Sequence, residues 1–105
     1  MSNFDDIFRA LSVSVRRDML AAMIDEDRTV SDLTARTDIS QSAVSQHLAV
    51  LKDAGLVRDR KVGRNRYYAV EVGQLLLLDD WLDPFRNQWA GAFDALESHL
   101  NKQKN

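Results

Sequence analysis

Between Ser40 and Val70 the chain reads SQSAVSQHLAVLKDAGLVRDRKVGRNRYYAV, and few folds accept that order of signals. Val44, Leu48 and Leu51 stand at i, i+4 and i+7, one face of a helix. Ser40 suits its N-cap, because a serine oxygen accepts from the N–H groups that a helix start leaves unpaired. Gly55 is the stop, since glycine takes the left-handed cap conformation without strain. Leu56 to Lys61 and Arg66 to Val70 then read as two strands, with Gly63-Arg64-Asn65 as the tip between them. A capped helix followed at once by an arginine-rich hairpin is the order of a winged helix-turn-helix. That architecture lays one helix in a DNA groove and a basic wing on the backbone.

The charge distribution fits this reading better than the net charge of −2 does. Residues 1–40 carry eight acids and five bases, residues 41–68 six bases and two acids, and residues 69–105 six acids and three bases. A basic middle lies between two acidic ends. Local field decides DNA contact, so an acidic protein can hold DNA through a positive face. The plain alternative is a solvated basic hairpin.

The 105 residues suffice for one domain and one hydrophobic core. Phe4, Ile7, Phe8 and Leu11 have helical spacing. A second helix is expected from about Ser14 to Ile24, with Val15, Met19, Leu20, Met23 and Ile24 inward. Thr29 can cap a third, with Asp32 in its first turn and Val30, Leu33 and Ala35 inside. After the hairpin, Leu75 to Leu82 reads as a short helix. Asp83-Pro84 reads as the N-cap and first residue of another, since proline at that position loses no hydrogen bond. Phe85, Trp89, Phe93, Leu96 and Leu100 make one stripe on that last helix. The expected class is therefore mostly α with a small β-hairpin, in the order α-α-α-α-β-β-α(-α), as a single domain over residues 1–105.

No cysteine is present, which excludes disulfides and thiolate metal sites. Apolar runs such as Leu75 to Leu78 are far short of a membrane span. The first residues lack the basic and apolar regions of a signal peptide, so a cytoplasmic location is expected. No glycine-rich phosphate loop and no histidine pair with a carboxylate appears, so no catalysis and no cofactor are expected.

The chain resembles the ArsR-type family of bacterial winged-helix repressors over nearly its whole length. The matching pieces are FRAL at 8–11, RRDML at 16–20, TVSDL at 29–33, SQSAVSQHLAVLKDAGLV at 40–57, GRNRYYAV at 63–70 and DWLDPFRNQW at 80–89. The resemblance implies a homodimer that binds double-stranded DNA and represses promoters, often its own. One departure is Val13-Ser14-Val15, where family members usually carry Asp-Pro-Thr. Ser12 or Ser14 is left to cap the second helix.

Gln41, Ser42, Ser45 and Gln46 are polar and lie off the buried stripe, as base-reading residues must. Four polar residues on a helix are by themselves only a wet face. The cap, the stop, the basic hairpin and the resemblance together favour readers. Ser40 and His47 flank them and are expected at the DNA backbone, with His47 suited to packing or to a phosphate. Lys61, Arg64 and Arg66 would serve the wing, since a narrow tip approaches the minor groove and arginine favours its negative potential. Tyr67 and Tyr68 alternate faces, so one is expected in the core and the other exposed with its hydroxyl available to a phosphate. One of Arg16 and Arg17, taken as Arg17, is expected on backbone phosphate, as the resemblance suggests; a surface ion pair is the alternative. Helices at about residues 4–11 and 84–101 supply the expected dimer interface, through Phe4, Phe8, Phe85, Trp89, Phe93, Leu96 and Leu100.

The best-known members of that family release DNA on binding metal, through thiolates on the third helix or Asp/His sets on the last. This chain has TVSDL at the first place and only His99 near Glu97 at the second, so no metal site is expected. Two other readings stay open. One is a winged helix kept as a protein-interaction module; the other is a repressor gated by a non-metal small molecule whose identity the residues leave unknown.

Overall fold

The structure, a computed structural model, describes residues 3–103, without the side chains of residues 3, 93 and 103. The elements are α1 (Asn3–Leu11), α2 (Ser14–Ala22), β1 (Arg28–Thr29), α3 (Val30–Thr34), α4 (Gln41–Asp53), β2 (Val57–Val62), β3 (Asn65–Val70) and α5 (Val72–Gln103). The mostly helical class with a small β element is as expected. The two-residue β1 adds a third strand, and the sheet order is β1-β3-β2, antiparallel throughout.

The chain divides into two units, Met1–Leu75 and Leu76–Asn105. The first has the hydrophobic core. Ile7 and Ala10 of α1, Met19 and Leu20 of α2, Leu33 of α3, and Val44, Leu48 and Leu51 of α4 are buried there with Leu56, Val57 and Ala69. The i, i+4, i+7 stripe of α4 is thus fully inward. Ile24, expected in the core, is 79% exposed, because α2 ends at Ala22 and Met23 is its C-cap, so the chain has left the helical stripe by Ile24.

The local stop and start signals act where expected. Thr29 Oγ1 accepts from the Asp32 N–H and the Asp32 carboxylate accepts from the Thr29 N–H, a reciprocal capping box on α3. Thr29 is also the last residue of β1, paired with Tyr67. Ser40 Oγ accepts from the Ala43 N–H and opens α4. Gly55, at φ +77°, closes it: its N–H bonds the Lys52 carbonyl and the Leu56 N–H bonds the Leu51 carbonyl, a Schellman pair. Added bulk at Gly55 would also meet Gln74, whose Nε2 lies 3.0 Å from a built Cβ and donates to the Ala54 carbonyl.

Three local expectations are corrected. The N-cap of α2 is Val13, without a side-chain cap; neither Ser12 nor Ser14 takes that role, and the Ser12 hydroxyl instead donates to the Arg9 carbonyl at 2.6 Å. The hairpin tip has two residues, Gly63 and Arg64, because Asn65 already pairs with Val62. Gly63 has φ +62°, which the first position of a tight type II′ turn demands. Finally, α5 runs through Pro84 without a break, so Asp83 is no N-cap. A proline inside a helix removes one N–H and disturbs the turn before it. Arg86 bonds that turn from outside: its guanidinium donates to the Asp79 carbonyl and carboxylate, each at 2.8 Å, and to the Asp83 carboxylate at 2.6 Å.

Candidate nucleic-acid interface

Gln41, Ser42, Ser45 and Gln46 are all exposed on α4, on the side away from Val44, Leu48 and Leu51. No acid stands in the first turn of α4, so the positive end of the helix dipole is left uncancelled where an anionic partner would approach. Ser40 is exposed as well, but its oxygen is engaged as the cap.

The hairpin carries five basic side chains, and their partners separate them. Arg58 is paired with Glu71, Arg60 with Asp27 at 3.2 Å, and Arg66 with Asp59 at 2.7 Å. Lys61 and Arg64 are exposed and have no ion-pair partner among the described residues. Lys61 sits directly across from Arg66, and like charges at opposite positions repel. An anion laid over the tip relieves that repulsion. The positive field is thus concentrated at the tip, on Lys61 and Arg64.

The tyrosines do not divide as expected. Both Tyr67 and Tyr68 are half-buried, because β3 is the central strand and β1 covers one edge of it at these two residues. Tyr67 carries the Arg60 guanidinium 5.2 Å from its ring centroid, a cation–π contact.

Asp59 is a site residue that sequence reading missed. Its side chain is 8% exposed, with Lys52 of α4 at 2.9 Å on one oxygen and Arg66 of β3 at 2.7 Å on the other. One carboxylate therefore ties the end of the exposed helix to the wing. The hydrogen bonds from Lys52 and Arg66 hold its carboxyl below the usual carboxylate range. A folded-state value below the unfolded one gives stability that is whole above the unfolded value of about 4 and drains away as pH falls through the folded one. Thermal melts from about pH 6 to about pH 2 are expected to show Asp59→Asn less stable at the upper end, with the two proteins converging at the lower end. Parallel curves would show that the clamp contributes nothing.

Arg16 and Arg17 turn to the C-terminal end of α1, not to acids. Arg17 Nη1 donates to the Leu11 carbonyl at 2.6 Å, and Arg16 Nη1 to the carbonyls of Arg9 at 3.2 Å and Ala10 at 3.5 Å. Cations at a helix C-terminus satisfy carbonyls that the helix leaves open. Arg16 also donates from Nε to Nδ1 of His47 at 3.1 Å, joining α2 to α4. The ion-pair alternative for these arginines is therefore not what the geometry shows.

Residues 13–59 match the bacterial regulatory protein arsR family. SdpR, a transcriptional repressor of Bacillus subtilis, is 30% identical over 84 residues that cover 80% of this chain and 93% of SdpR. The chain belongs to the ArsR family. As an ArsR-family protein it is a DNA-binding transcriptional regulator and not an enzyme. A repressor of Synechocystis sp. described as an SmtB homolog is 38% identical over 70% of this chain. The chain spans about half of that relative, 55% of its length. The solved ArsR-like transcriptional regulator from Rhodococcus sp. RHA1 shares the fold at a TM-score of 0.76 and 27% identity, over 95% of this chain and 92% of that one.

The remaining apolar surface of this ArsR-family chain is concentrated on α5. Trp81, Phe85 and Trp89 form a ladder with ring centroids 4.9 Å and 6.0 Å apart, and Leu82, Leu96 and Leu100 are also exposed. Trp81 and Leu82 escaped the sequence reading because the apparent break at Pro84 hid the i, i+4 step from Trp81 to Phe85. The side chain of Phe93 lies outside the described residues. On α1, Phe8 is exposed and stacks on half-buried Phe4 at 6.4 Å.

Proposed function

We propose that this ArsR-family protein is a homodimeric repressor of an inverted-repeat operator. Gln41, Ser42, Ser45 and Gln46 read base edges, while Lys61 and Arg64 hold the backbone, with Arg66, Tyr67 and Tyr68 behind them. Arg17 shapes the end of α1 and keeps an exposed guanidinium near the backbone. The observation that carries this reading is the pairing of an unobstructed polar face on a doubly capped helix with a wing tip whose cations lack acids. The ladder of α5, together with the Phe4/Phe8 face of α1, supplies apolar surface for a second copy, and a two-fold axis then requires a repeated, inverted half-site.

Protection mapping on the DNA upstream of the protein's own gene tests this. The expected footprint is an inverted repeat with half-site centres about one helical turn, or a small multiple, apart. Deleting the gene is expected to raise expression from that promoter. No footprint, or a fall in expression, would overturn the repressor reading.

The chain has no cysteine, and among the described residues no group of three or more His, Asp or Glu side chains is placed to hold a metal ion. Zinc, cadmium or arsenite is therefore expected to leave the operator complex intact in a gel shift. Release at stoichiometric zinc, reversed by a chelator, would contradict this.

A further inference from the structure

His47 stands on α4 directly after the exposed Gln46 and before the buried Leu48, and is itself half-buried. Its Nδ1 accepts from Arg16 Nε at 3.1 Å. A ring nitrogen that accepts carries no proton, so the neutral imidazole has its proton on Nε2. Among the described residues no buried side-chain nitrogen or oxygen lacks a hydrogen bond. Nε2 has no hydrogen-bond partner among them, and is therefore not fully enclosed. Arg16 is fixed in turn by the Arg9 and Ala10 carbonyls at the end of α1. A guanidinium is planar and rigid, so anchoring Nη1 also sets the direction of Nε–H.

We infer that Arg16 is a positioning residue for DNA binding: it fixes His47 as the Nε2–H tautomer and presents that N–H to a DNA phosphate oxygen. This rests on the proposal that α4 faces DNA. Phosphate is the acceptor, because the ring is held at the α2 edge of α4 while Ser42, Ser45 and Gln46 occupy its fully exposed side. Without Arg16, either ring nitrogen can carry the proton and the ring can turn, so the donor is present only part of the time.

The test combines a spectrum with a double-mutant cycle. The chain has two histidines, so nitrogen chemical shifts of the imidazoles can be assigned by comparison with His47→Ala. Measured where the imidazole is neutral, the free wild type is expected to show His47 as the Nε2–H tautomer, and Arg16→Met a mixture of tautomers. On DNA, His47→Ala and Arg16→Met are each expected to weaken binding about tenfold, equally on the operator and on a scrambled duplex. In the His47→Ala background, Arg16→Met is expected to cost less than about twofold more. Arg16→Lys keeps the charge without the planar donor and is expected to behave like Arg16→Met, which separates positioning from simple attraction. Equal losses for Arg16→Met in both backgrounds, or an Nδ1–H tautomer in the wild type, would overturn the inference. Full binding by His47→Ala would overturn it too. In that case Gln41→Ala and Gln46→Ala tell whether α4 still reads DNA: if they retain their losses, only the Arg16–His47 inference has failed.

Discussion

Trp89→Glu is expected to convert the protein from dimer to monomer at micromolar concentration, as measured by light scattering or native mass spectrometry. Trp89 is 48% exposed, and its neighbours on the ladder, Trp81 and Phe85, are 45% and 41% exposed. Each large apolar side chain taken fully out of water contributes roughly 1.5–3 kcal/mol. A charge placed on such a ladder loses that contribution and adds the cost of an unpaired buried carboxylate. In the proposed two-fold dimer each copy brings the substitution to the interface, so the penalty is counted twice. If both half-sites are held by the proposed dimer, DNA binding is expected to fall with it. A wild-type protein that is monomeric at the same concentration would remove the interface altogether.

The second large effect separates reading from holding. Gln41→Ala or Gln46→Ala is expected to cost roughly 1–3 kcal/mol on the operator and little on a scrambled duplex, since glutamine can pair with adenine through two hydrogen bonds. Arg64→Ala is expected to weaken both duplexes together and to lower the salt slope by about 1, the signature of one lost phosphate contact. Arg66→Ala differs from Arg64→Ala. Arg66 is one of two cations on the nearly buried Asp59, so its removal also lowers thermal stability. Titration of both duplexes at several salt concentrations reads all of these at once. Equal losses on both duplexes for the glutamine variants would move specificity from α4 to the wing or to DNA shape.

The features legible in the sequence are those set within three or four residues. Ser40 to Ala43, Thr29 with Asp32, and Gly55 with Leu51 and Leu56 each obey a local hydrogen-bonding rule, so composition at fixed offsets suffices. The exposed face of α4 follows from its buried stripe. What stayed hidden depends on partners beyond that range. Asp59 acquires its role only when α4 and β3 meet around it, and Arg16 meets His47 across 31 positions. Strand β1 is too short to have a period and exists because β3 offers it an edge. The reading of Pro84 as a helix start failed for a different reason. A local signal for a boundary was overridden by good helix-forming sequence on both sides and by Arg86 reaching back over the disturbed turn.

Thr29 gives the wing a mechanical property. Cross-strand pairing between β2 and β3 continues to Val62 and Asn65, but β1 supports β3 only at Tyr67 and Tyr68. From Arg66 outward the hairpin is a two-stranded cantilever. Its outermost support is Thr29, whose hydroxyl at the same time holds the first turn of α3. In the proposed complex, a load applied at Arg64 by a phosphate would be borne at that pivot and pass into α3. In the proposed complex, wing tilt and the seating of α4 would therefore not be independent adjustments, and a groove of the wrong width would strain α4 as well as the wing.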